Sequence, residues 1–173
     1  MDCDNPLFLE SAAMTESEFQ ERLKKLDAIE FREEFETELY RLYEQAGADD
    51  RKHLRETAAA GAFMKPRPWK NPTDYDRADL SLEQRVQQGM IRLSLHDGTG
   101  DYRDDLLTLA WCYNNLMHLS HDADAYLKRI ADLSSEKIAT AINQFVQRPP
   151  SEKDPESWGL KLNKRGDEFV FWP

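Results

Sequence analysis

Long hydrophobic runs are missing from this sequence. No apolar stretch approaches the roughly 18 residues that a membrane-crossing helix requires, so no membrane contact is expected. Cysteine is scarce as well. Cys3 and Cys112 are too few and too far apart for a disulfide framework or a thiolate zinc site, and reduced thiols point to a cytoplasmic address. Seven glycines and eight prolines are too few for a disordered or collagenous chain. The opening MDCDNPLFLE carries acids where a secretory signal is basic. There is no nucleophile elbow, HExxH or GxGxxG motif, and no cofactor is expected.

What is present is helix signal and negative charge. The chain has 173 residues and a net charge of −10. Residues 1–50 hold fifteen acids against five bases, a balance of −10, while the other 123 residues hold eighteen of each sign. An acidic field of this kind disfavours phosphate backbones, so nucleic acid is not an expected partner, and it favours a basic protein.

Capping signals and apolar stripes divide the chain. Thr15-Glu16-Ser17-Glu18 is a capping box with Met14 and Phe19 as its staple, and Asp27-Ala28-Ile29-Glu30 repeats it with Leu26 and Phe31. The stripe Phe19, Leu23, Leu26 differs in phase from Phe31, Phe35, Leu39, Leu42, Ala46, which predicts two helices, over 16–26 and 28–46, ending at Gly47. A single long helix is the alternative. A shorter helix is expected over 50–60. Residues 64–76, MKPRPWKNPTDYD, hold too many prolines for a helix and predict an extended linker.

Ser81-Leu82-Glu83-Gln84 opens the next helix, to about His96, and HDGTGD turns the chain into the most apolar one. That helix, with Tyr102, Leu106, Leu109, Ala110, Tyr113, Leu116 and Met117 on its inner face, is the expected centre of the core. Ser120 or a neighbour restarts a helix through Tyr126, Leu127 and Ile130, and Ser134 is expected to cap the last. After Pro149-Pro150, WGLKLNKRGDEFVFWP predicts two short strands around a turn at Asn163–Gly166. The expected fold is all-α: a compact helical domain of six to seven helices with a short C-terminal β-hairpin. Its parts are an acidic helical part (1–63), a proline-rich linker (64–80), a helical core (81–148) and a tail (149–173).

Few residues offer chemistry. His96-Asp97 and His121-Asp122 are two His-Asp pairs 25 residues apart in a helical chain. In this the sequence resembles the HD-domain phosphohydrolases, and the resemblance implies His96, His121 and Asp122 as ligands of a divalent metal that activates water on a phosphoester. The glycine and basic residue common after the second pair are missing, and no final Asp falls in place. Helix chemistry accounts for the same residues one at a time. His118 closes one helix, Ser120 caps the next, and Asp122 and Asp124 oppose the dipole in its first turn. The junction is the favoured reading, with no metal.

HDGTGD has neither a P-loop ending nor the alternating acids of an EF-hand, and is read as a turn. Cys112, between Trp111 and Tyr113, is read as a small core residue. Lys65, Arg67, Trp69 and Lys70 form the basic, aromatic cluster of the proline loop, read as a surface linker with Trp69 packed down.

The acids carry the functional expectation. On the wheel of 28–46, Glu30, Glu33, Glu34 and Glu44 lie opposite the apolar stripe. They are the expected contact surface of a non-enzymatic interaction protein, such as an immunity or inhibitor protein that engages a basic toxin or nuclease. An HD-type phosphohydrolase is the alternative. A structural adaptor using the hairpin edge at Phe169–Trp172 for strand addition is the second alternative.

Overall fold

In a computed structural model the described residues are 14–71, 79–96, 102–119 and 121–154, without the side chains of 102–105, together with the backbone of 161–165 and 168–172. The part with described side chains is all-helical. Its helices are α1 (Glu16–Asp27), α2 (Arg32–Gln45), α3 (Ala48–Ala59), α4 (Leu82–Leu95), α5 (Tyr102–His118), α6 (Ala123–Leu133), α7 (Glu136–Val146) and α8 (Pro150–Lys153). None is long and apolar enough to cross a membrane. Further on, the backbone of β1 (Lys161–Arg165) lies antiparallel to β2 (Glu168–Trp172), Lys161 opposite Trp172 and Arg165 opposite Glu168.

Local chemistry starts several helices as expected. Thr15 Oγ1 accepts from the Glu18 amide at 3.2 Å, and Lys24 and Lys25 lie in the last turn of α1, where the dipole favours cations. Ser81 and Gln84 form the complete box: Ser81 Oγ accepts from Gln84 N at 3.2 Å and Gln84 Oε1 accepts from Ser81 N at 2.9 Å. Helix α3 ends in a Schellman turn, with Gly61 at φ 79° and Ala62 N donating to Thr57 O at 3.2 Å.

Elsewhere the boundaries differ for identifiable reasons. The two-helix division of residues 16–46 is present, but the box at Asp27 is not. Asp27 is the last residue of α1, and α2 begins at Arg32 with no side-chain cap. Its first amide, Arg32 N, donates instead to Pro68 O of the proline loop at 2.9 Å. Gly47 serves as the N-cap of α3, which starts two residues earlier than expected. Ser135, not Ser134, caps α7, because the Ser134 hydroxyl is drawn into contacts with Ser94 Oγ and Ile130 O. Helix α8 was not expected at all. Pro150 occupies its first position, where the missing amide costs nothing.

The helix that joins the two parts of the chain is α4, not α5. It packs against α2 and α3 as well as α5 and α6. Val86, Met90, Ile91 and Leu95 bury themselves there with Phe19, Leu39, Tyr43, Leu54, Leu116, Leu127, Ile130 and Phe145 in one apolar cluster. Gly89 lets α5 come close: a Cβ there would lie 3.0 Å from Trp111 Cζ3. Met117, expected on the inner face of α5, is 56% exposed.

Candidate functional site

The histidines come first, because their separation decides a mechanism. His121 lies between α5 and α6. Its Nδ1 is 3.2 Å from the Tyr126 hydroxyl, and its buried Nε2 has no hydrogen-bond partner among the described residues, 3.6 Å from Glu83 Oε1. Glu83 sits in the first turn of α4, whereas His96 is the C-cap of the same helix. Thirteen residues of helix separate them, a rise of about 20 Å. Two ligands of one ion each reach it at about 2 Å, so His96 and His121 do not converge. Asp122 is engaged otherwise. It is the N-cap of α6, its Oδ1 accepting from Ala125 N at 3.1 Å. Among the described residues no group of three or more His, Cys, Asp or Glu is gathered as a metal site would need. HLSHDADAY spans the end of α5 and the start of α6, with Asp122 as the N-cap of α6. The HDGTGD turn lies outside the described residues from Asp97 on.

His96 is partly buried. Burial, followed by the charges of Arg92 and Arg32, lowers its pKa from the usual 6.5, with Glu36 acting in the opposite sense. Cys112 is fully buried, and desolvation pushes its thiol far up, out of reach of thiolate chemistry at neutral pH.

The four acids expected to form one surface are placed in three different ways. Glu30 is exposed, in the segment before α2. Glu34 is exposed and lies 3.7 Å from Lys70 Nζ in a solvent-facing ion pair of little energetic weight. Glu44 is half-buried against α4, accepting from Gln87 Nε2. Glu33 is not on the surface at all. It is 7% exposed, and its two oxygens accept the backbone amides of Lys70 (2.9 Å) and Asn71 (3.1 Å). A hydrophobic wheel sees Glu33 opposite the stripe but not the loop that returns to cover it.

Over its described part that loop is held at Arg67, Pro68, Lys70 and Asn71. The Arg67 guanidinium lies 3.8 Å from the centre of the Phe35 ring. Its Nε donates to Ile29 O at 3.0 Å, and its Nη2 to Leu26 O at 3.4 Å, at the carbonyl end of α1 where a cation is favoured. Phe63 also packs against Phe35, ring centres 6.1 Å apart and planes tilted by 57°. The proline-rich segment is therefore no free linker over 63–71. It is a strap seated in a notch between the end of α1 and the start of α2.

Two further polar constructions carried no sequence signal. The Tyr43 hydroxyl donates to Leu133 O at 2.6 Å and receives Arg55 Nη1 at 3.0 Å, with the fully buried Ser94 Oγ 2.7 Å away. This knot ties α2, α3, α4 and the end of α6. Lys153, 4% exposed, places its ammonium 3.2 Å from Asp124 Oδ1 and 5.1 Å from the Tyr113 ring centre, fixing α8 to α5 and α6.

At the other end of α1, the starts of α1 and α3 come together. Burial first, then the hydrogen bond and charge of Glu16, hold the Asp50 carboxyl above its usual range. Compared with protein families, curated proteins and solved structures, the chain matches none.

Proposed function

We propose that this chain is a non-enzymatic interaction protein whose acidic N-terminal helices engage a basic protein partner in the cytoplasm, as an immunity or inhibitor protein engages a toxin or nuclease. The observation that carries the reading is the confinement of the whole net charge to residues 1–50. Such a field speeds encounter with a cationic surface and rejects anionic ones. Its exposed members include Glu18, Glu21, Asp27, Glu30, Glu34 and Asp49, so Glu30 and Glu34 remain contact residues in the proposal while the buried Glu33 and half-buried Glu44 leave it.

The test is capture on the immobilised chain, comparing low salt with about 0.5 M, where screening reaches only a few ångströms. A basic protein that is retained at low salt, released at high salt and lost with Glu30→Lys/Glu34→Lys supports the reading. Retention that ignores both salt and charge reversal contradicts it. A second reading has its own observation, since each strand of the β1–β2 ladder pairs on one side with the other. An adaptor that adds a strand at Phe169–Trp172 would bind independently of salt and lose binding when residues 158–173 are removed.

A further inference from the structure

The strap at 65–71 is held in the way a receptor holds a peptide. Main-chain groups are read on both sides: Glu33 takes the amides of Lys70 and Asn71, and Arg32 N gives its hydrogen to Pro68 O. One side chain is read specifically. The Arg67 guanidinium lies over Phe35 and donates to Leu26 O in the last turn of α1 and to Ile29 O just beyond it. Pro66 and Pro68 flank it and favour an extended backbone. Main-chain bonds with a single specificity pocket are the usual economy of extended-peptide recognition. None of these contacts depends on the strap being covalently part of the chain. Any extended segment with Arg between two prolines and a following Lys would make them.

We propose that the notch between α1 and α2 is a receptor for an extended, basic, proline-flanked segment of a partner protein, which residues 65–71 occupy in cis as a built-in competitor. This rests on the interaction reading above and names the partner's contact segment. The buried Glu33 carboxylate is the fixed element of the site, and the exposed Glu34, paired with Lys70, together with the exposed Asp27 and Glu30 nearby in sequence, favours a cationic segment. A tethered strap acts at an effective concentration of order millimolar, so a free ligand must exceed that competition to enter.

The probe is a fluorescent synthetic peptide of residues 63–72, FMKPRPWKNP, added to the full chain. A chain in which residues 65–71 are replaced by a Gly/Ser segment of equal length is expected to bind it at least tenfold more tightly than the wild type does. Adding Glu33→Gln to that chain is expected to abolish the binding. In the unmodified chain, excess peptide should accelerate hydrogen exchange at the Lys70 and Asn71 amides by displacing the strap, which keeps the test sound if the replaced chain does not fold. No binding to a folded replaced chain, or unchanged exchange in the wild type at peptide saturating solubility, overturns the proposal. The two claims separate on salt. Peptide binding that persists unchanged at high salt leaves the notch standing and removes the charge-driven reading. Salt-sensitive capture of a basic protein without peptide binding does the reverse.

Discussion

Between Leu82 and Val146, helices α4, α6 and α7 are capped by the side chains just before them and packed by apolar faces; between Glu16 and Asn71 part of that work passes to groups distant in sequence. Ser81, Asp122 and Ser135 each cap the helix that follows them. Helix α2, by contrast, has no side-chain cap; its first amide is taken by Pro68 O, and the Glu33 side chain in its first turn receives the amides of Lys70 and Asn71, from nearly forty residues away. The difference shows two ways of starting a helix in the same molecule. In one, a neighbouring side chain supplies the cap. In the other, a distant basic segment returns to the helix start, and a glutamate there is withdrawn from the surface as its clasp.

Substitutions that separate the two regions sharpen this comparison. The largest effect belongs to the apolar region. Leu127 is fully buried, and Leu127→Ala is expected to cost about 2–5 kcal/mol in urea unfolding. A loss under 1 kcal/mol would mean that α6 is not packed as described.

Next come two neighbours at the start of α2. Glu33→Gln sets an amide donor against one of the two backbone donors, and is expected to cost about 1.5–3 kcal/mol. Glu34→Gln removes only an exposed ion pair and should stay within about 0.5 kcal/mol. Equal effects would erase the distinction drawn between them. Tyr43→Phe tests the knot that joins the regions. It strips Leu133 O, Ser94 and Arg55 of a shared partner, for an expected loss of about 1–3 kcal/mol by thermal unfolding.

The smallest effect is one of pH. His96 titrates lower in the folded chain than in the unfolded one, so the unfolded state takes up the proton first as pH falls. Its contribution is present above about 6.5 and is lost as pH drops through the folded value. Stability measured from pH 7 downward should therefore decline less in His96→Gln than in the wild type, and identical slopes would refute the assignment.

The same contrast explains what the sequence made legible. The all-α class, the division near residue 28, the Ser81 box and the helix junction at His118–Asp122 are local, and each follows from a stripe or a cap within a few residues. Several features were not legible because a distant segment decides them. The start of α2 depends on Pro68, the displaced cap at Ser135 depends on Ser94 taking up Ser134, and α8 depends on Asp124 receiving Lys153. The expected acidic surface failed at Glu33 for that reason: helical periodicity gives the direction of a side chain, not what returns to meet it. The prolines flanking Arg67 were the one available hint, since they fix an extended segment able to lie along a groove.

The central claim is that Glu33 is a clasp and not a surface acid. Hydrogen exchange at the Lys70 and Asn71 amides, read residue by residue in the wild type, Glu33→Gln and Glu34→Gln, tests it most directly. Both amides should be protected in the wild type and in Glu34→Gln, and exchange at least tenfold faster in Glu33→Gln. Equal, unprotected exchange in all three would show that the strap is not held by Glu33 and that the notch is open.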